Sequence, residues 1–294
     1  MNRANFLKLL STIPFWGYSM KINQFQNIIQ DFPNSDKMPV LFLGHGSPMN
    51  AIEENQFVTG FRNLAKTLPQ PNAILCISAH WYTKGTKVTA MEMPKTIHDF
   101  GGFPPELFAV QYPAKGSPQL ALETKEILKP IEVELDDTWG LDHGAWSVIK
   151  HLYPAANVPV IQLSIDYTKP AQYHFELAQK LTSLRNKGIL IIGSGNIVHN
   201  LRLVDFPNFE KDNYGYDWAI EARETSNKYL LDGDFKPLIN FEKLGKAFQL
   251  AIPTPEHYLP LIYSLGLKQQ DETISLFNDK LLAGSLSMTS LKIA

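Results

Sequence analysis

Short unbroken runs of apolar residues recur along this chain from Pro39 onward: Val40-Leu41-Phe42-Leu43, Ile74 to Ile77, Val158 to Leu163 and Ile189-Leu190-Ile191-Ile192. Runs of this length rich in Val, Ile and Leu predict buried β-strands. Between them, Asn55 to Leu68, Pro118 to Leu128, Ala145 to Leu152 and Pro170 to Leu184 carry apolar residues at three- and four-residue spacing, the period of an amphipathic helix. The alternation predicts an α/β fold with a central sheet flanked by helices. No internal repeat and no Ser/Gly-rich or charged linker divides the chain after residue 37, so residues 38–294 read as one domain.

One stretch breaks the alternation. Asp99-Phe100-Gly101-Gly102-Phe103-Pro104-Pro105 can continue neither a helix nor a central strand, because its prolines lack the N–H that either would use. It predicts a long ordered loop, and such loops in compact domains often carry function.

Composition narrows the chemistry. With 294 residues, 44% hydrophobic and 19% charged, the chain is long and apolar enough to bury a large core. A net charge of −2 and the absence of any Lys/Arg run argue against a nucleic-acid footprint and leave a small molecule as the expected partner. The single cysteine, Cys76, lies inside an apolar run, so no intrachain disulfide forms and a thiolate-rich metal site is excluded.

Residues 1–37 stand apart as an N-terminal extension. Asn2-Arg3-Ala4-Asn5-Phe6-Leu7-Lys8 follows the twin-arginine export pattern, with Ala4 in place of the second arginine. The apolar stretch from Leu9 to Met20 is interrupted by Pro14 and is too short to span a bilayer. The extension reads as a degenerate export leader or as a helix lying on the domain. A cytoplasmic location is expected, or a periplasmic one if the leader functions.

The histidines supply the candidate chemistry. His45 follows the first predicted strand in the turn Gly44-His45-Gly46-Ser47-Pro48, His80 follows the second, and His199 comes soon after the fourth. All three stand just beyond strand carboxyl ends, where open α/β sheets place their ligand sites. Neutral imidazoles converging from separate loops suit zinc or non-haem iron. His257, in Pro253-Thr254-Pro255-Glu256-His257-Tyr258, is either a further ligand or a residue at a helix start. His143, beside Asp142 and ahead of a helix, is a candidate acid/base whose tautomer that neighbouring carboxylate would hold. His98, opening the Pro/Gly-rich loop, is a candidate substrate contact or a solvated loop residue. His151 and His174 fall within predicted helices and read as packing or surface residues. Trp81, Phe103 and Tyr258 are either pocket or packing aromatics.

Other motifs fail. Gly193-Ser194-Gly195-Asn196-Ile197-Val198 has a valine where a dinucleotide fingerprint needs its third glycine, Ser47 lacks the flanking glycines of a nucleophile elbow, and a helical His-Glu-x-x-His is missing.

From Met38 essentially to the C-terminus the chain resembles the class III extradiol ring-cleavage dioxygenases, in their DOPA-type branch. The resemblance rests on Leu43-Gly44-His45-Gly46-Ser47-Pro48-Met49, Ser78-Ala79-His80-Trp81, Ile97-His98-Asp99-Phe100-Gly101-Gly102-Phe103-Pro104, Leu141-Asp142-His143-Gly144, Gly195-Asn196-Ile197-Val198-His199-Asn200-Leu201, Thr254-Pro255-Glu256-His257-Tyr258 and Gly284-Ser285-Leu286-Ser287-Met288. It implies a mixed-sheet α/β fold, His45, His80, His199 and His257 around a divalent metal, His143 as acid/base, and a catechol with O2 as substrates. A histidine-rich shell resembles zinc sites more than the two-histidine, one-carboxylate iron sites, so Zn2+ and Fe2+ both stand as expectations. With zinc the same residues would make a hydrolase, and a non-catalytic binding module is the third reading. The oligomeric state is open.

Overall fold

The structure, a computed structural model, describes residues 35–294; the expectations for the export pattern and the apolar stretch behind it fall outside that range. Six strands make the central sheet: β1 Val40–Gly44, β2 Ala73–Ser78, β3 Val160–Gln162, β4 Ile189–Gly195, β5 Ile274–Phe277 and β6 Ser290–Ile293, in the spatial order β3-β2-β4-β1-β6-β5. The first four are mutually parallel, β6 runs antiparallel to β1, and β5 antiparallel to β6. The mixed α/β sheet is therefore as expected. Every residue of β1, β2 and β4 is buried, as their continuous apolar runs require.

The main helices are α1 Gln56–Ala65, α2 Pro118–Ile127, α3 His143–Leu152, α4 Ala171–Lys180, α5 Asp217–Asp232 and α6 Leu259–Gly266. Strand β4 shows how two of them cover opposite faces, because successive side chains of a strand point in opposite directions. On one face, a Cβ at Gly193 would lie 2.4 Å from the Pro260 carbonyl oxygen and one at Gly195 only 2.1 Å from that of His257, so both glycines let α6 and its approach lie directly on the strand. On the other face, the Ser194 hydroxyl donates to the Gly144 carbonyl at 2.5 Å, at the start of α3.

Two departures from the sequence reading concern the sheet and its helical cover. The helical pattern Pro170 to Leu184 is divided: α4 ends at Lys180 and a second turn runs over Thr182–Arg185. The chain tightens at Leu181, whose N–H bonds to the Ala178 carbonyl three residues back. Strands β5 and β6 were not predicted. Lys292 and two serines interrupt their apolar pattern, and β5 is a half-exposed edge strand with only a weak alternation to read.

Cys76 is buried within β2, and burial pushes its thiol well above its ordinary value. It is a core residue. No helix among the described residues is long and apolar enough to cross a membrane.

Candidate metal centre

The register of the sheet sets the carboxyl ends of three strands level. Leu43 of β1 and Ser78 of β2 both pair with Ser194 of β4. His45 is held at the end of β1 by its N–H on the Gly195 carbonyl, 3.2 Å, and His80 stands two residues past Ser78. His257 arrives from the segment before α6, where its carbonyl accepts from Asn196 N–H at 2.8 Å across the gap that Gly195 leaves open. His143 is the first residue of α3, whose N-cap is Asp142.

Side-chain nitrogens of His45, His80 and His257 lie within 4.8 Å of one another. The groups behind them decide which nitrogen faces inward. The Ser194 hydroxyl has one proton and gives it to the Gly144 carbonyl, so its oxygen must accept from His45 Nδ1, 3.1 Å away. His80 Nδ1 is 3.2 Å from Asp99 Oδ2, and His257 Nδ1 is 3.2 Å from Glu256 Oε1; beside a carboxylate oxygen each nitrogen must carry its proton. All three rings thus leave Nε2 as a bare lone pair.

Two of these lone pairs, on His45 and His80, face each other at 3.3 Å. Without a cation between them they repel. Two nitrogens bound to one ion at zinc-like distances and a tetrahedral angle stand about 3.3 Å apart. The donor set fits a divalent first-row metal, and the Ser194, Asp99 and Glu256 contacts are the outer partners such ligands need.

Burial works toward the same end. It lowers the pKa of His45 and His257 well below the ordinary value, helped by the neighbouring imidazoles. It lowers His80 to about 3, with His143 adding to the effect, and His199 to about 4. These rings are held neutral, the form that ligates metals.

His199 takes a different position from the other three. Its ring stacks on that of His257, 3.6 Å between centroids and 9° from parallel, and its nearest donor group is formed with Glu256 and His257. It lines the same cavity. That cavity has a volume of about 650 Å³, with the histidine cluster in its wall and Phe100, Phe103, Leu201, Val204, Phe206 and Phe209 among its apolar residues. His143 also lines it, its ring 3.8 Å from that of His80.

Two expectations from sequence need correction. His98 is not brought to the cavity: its Nε2 bonds to the Val110 carbonyl at 2.9 Å and its ring packs among Phe100, Phe108 and Trp146. Asp142 does not hold His143. Its carboxylate folds back as the N-cap of α3, accepting from Ala145 N–H, the Ser78 hydroxyl and the Trp139 indole. The carboxylate beside His143 Nδ1 is Asp99, at 3.0 Å, from the loop that the prolines and glycines marked as ordered. Of the three aromatics singled out, Phe103 lines the cavity, Trp81 stacks on Trp139, and Tyr258 is buried with its hydroxyl on the Leu238 carbonyl.

Sequence reasoning missed Asp99, Ser194, Phe100 and the apolar segment from Leu201 to Phe209. Asp99 sat beside His98 within a segment already marked as functional. For Ser194 and the apolar segment no local signal exists, since a strand serine and scattered surface apolar residues are ordinary.

Comparison with known proteins identifies the family. Residues 39–280 match the family described as the catalytic LigB subunit of aromatic ring-opening dioxygenase. The chain is 49% identical over 264 residues to a 4,5-DOPA dioxygenase extradiol of Escherichia coli K12, covering 88% of this chain and 96% of that one. It is 36% identical to the enzyme of that name from Mirabilis jalapa, over 76% of this chain and 85% of the other, and 33% identical to that from Beta vulgaris, over 85% and 94%. A crystal structure of an uncharacterized protein from Escherichia coli K12 superposes with a TM-score of 0.75 at 44% identity, covering 88% of this chain and all of the other. The match across most of its length shows that this chain belongs to the LigB family of aromatic ring-opening dioxygenases, which act at a metal.

Proposed function

We propose that residues 38–294 form an extradiol dioxygenase that opens the ring of a catechol, L-DOPA being the first to test, with O2 and Fe(II). His45, His80 and His257 are the ligands in this reading, and His199 is the fourth histidine at the ion. The observation that best supports it is the approach of His45 Nε2 and His80 Nε2 to 3.3 Å, with Nδ1 of each ring turned toward an outer partner. The relatives named for DOPA support the choice of substrate.

Iron, when bound, supplies the redox chemistry that carries catechol electrons to O2; zinc has none. The protein's own part is orientation and proton movement. Phe100 and Phe103 offer apolar faces to the aromatic ring beside the histidine cluster. His143 Nε2, its other nitrogen committed toward Asp99, takes the proton of a catechol hydroxyl and returns it as the ring opens. Both atoms of O2 enter the product, a ring carbon–carbon bond next to the diol breaks, and a semialdehyde acid results.

The test is anaerobic reconstitution of metal-free protein with Fe(II) or Zn(II), then mixing with air-saturated L-DOPA. Oxygen uptake and a yellow product with iron alone are expected. No uptake with iron across several catechols would rule the reading out.

A further inference from the structure

We infer that Asp99 is a shared positioning residue, one carboxylate fixing the tautomers of both His80 at the ion and His143 at the substrate proton. This rests on the function proposed above. The two oxygens of Asp99 are used differently. Oδ1 accepts the backbone N–H of His143 at 2.9 Å and so ties the loop to the start of α3. Oδ2 lies 3.2 Å from His80 Nδ1 and 3.0 Å from His143 Nδ1, both of them close contacts off the line of a hydrogen bond. A ring nitrogen that close to a carboxylate oxygen keeps its proton, so both rings present Nε2 as a lone pair. That atom ligates in His80 and accepts a proton in His143.

The placement is built in from outside the loop. Thr96 bridges to Leu141, Ile97 N–H donates to the Leu141 carbonyl at 2.7 Å, and the Trp146 indole donates to the Ile97 carbonyl at 2.8 Å. Asp99 is thereby held against the first residue of α3, 44 positions further along the chain.

Replacing Asp99 with Asn separates the two oxygens. The amide oxygen stays on the His143 backbone N–H, so the NH2 group takes the place of Oδ2 and points donors at both Nδ1 atoms. Each ring must then move its proton to Nε2, where it can neither ligate nor act as a base. The same wrong-tautomer effect disables an Asp–His pair in serine proteases.

In the full chain, Asp99→Asn is expected to keep the wild-type melting temperature. It is expected to bind Zn2+ 10- to 100-fold more weakly in competition with a chromophoric chelator, without any catechol present. At saturating Fe(II), kcat for L-DOPA should fall on the order of 10²- to 10⁴-fold with KM little changed. Long-range 1H–15N spectra of the metal-free protein should show His80 and His143 protonated at Nδ1 in the wild type and at Nε2 in the variant. Wild-type zinc affinity, kcat and tautomers in Asp99→Asn would overturn the inference. So would an Asp99→Ala protein that loses thermal stability while its metal-loaded fraction turns over at the wild-type rate. If the wild type takes up no oxygen with any catechol, the ring-opening reading fails instead. The zinc affinities and nitrogen spectra then decide the role of Asp99 alone: changes in both support it, and no change in either overturns it.

Discussion

An imidazole can offer a lone pair to a cation from a defined direction only when its other nitrogen is committed elsewhere. His45, His80 and His257 each meet that condition through a different partner: a serine hydroxyl already spent on a carbonyl, the loop carboxylate Asp99, and the adjacent carboxylate Glu256. For His199 no such side-chain partner is seen among the described residues, and its ring is held by stacking on His257. The four histidines should therefore contribute unequally. Alanine at His45, His80 or His257 is expected to weaken Zn2+ binding by more than about 100-fold, whereas His199→Ala should cost roughly 10- to 100-fold, the range of a supporting partner. Chelator competition on the four purified variants measures this. Equal losses in all four would mean that His199 binds the ion as directly as the rest.

At the level of elements, β4 organises the centre through two opposite requirements on successive residues. Ser194 must carry a hydroxyl on the α3 face, and Gly195 must carry nothing on the α6 face, because His257 O would be 2.1 Å from a Cβ there. Gly195→Ala puts a methyl group against backbone that cannot rotate away, so the segment carrying His257 has to shift. The expected cost is about 1–3 kcal/mol of stability in urea unfolding, accompanied by weaker Zn2+ binding. A variant with reduced stability but wild-type zinc affinity would show that His257 is not positioned through this contact. The same strand marks what could be read from sequence. Its apolar run and those of β1 and β2 were legible because they are buried on both faces, and this placed His45, His80 and His199 at strand ends. The meaning of Gly193-Ser194-Gly195 was not legible, since the partners of those residues lie about 50 positions back in α3 and about 60 ahead at His257. Asp142 misled for the related reason that sequence adjacency to His143 counted for less than its role as a helix cap. Asp99, 44 positions away, is brought to the ring by a bridge between loops.

Across the whole molecule, the sheet separates chemistry from anchorage. The histidines occupy the carboxyl ends of the parallel strands, and at the opposite ends a buried ion pair joins distant parts of the chain. Arg185, ahead of β4, donates to the Met38 carbonyl beside β1 at 2.7 Å and to the Leu267 carbonyl behind α6 at 2.9 Å, and pairs with both oxygens of Glu272. Both side chains are almost fully buried. Burial alone would push the Glu272 carboxyl up; hydrogen bonds from Arg185, the Gln269 N–H and Lys37, with the charge of Arg185, override it and hold the group at about 2 against an ordinary 4.5. Because the folded value is the lower one, the stabilisation is complete above pH 4.5 and is lost as pH falls toward 2. Glu272→Ala leaves the Arg185 charge buried without its partner, which should cost about 3–5 kcal/mol at neutral pH. The gap between wild type and variant, followed by urea unfolding from pH 7 downward, should narrow once the pH drops below 4.5. Zinc affinity at pH 7 should stay at the wild-type value, since no residue of this clamp touches the cavity. A gap that held constant with pH would show that Glu272 acts by packing alone, and a loss of zinc affinity would show that the two ends of the sheet are coupled.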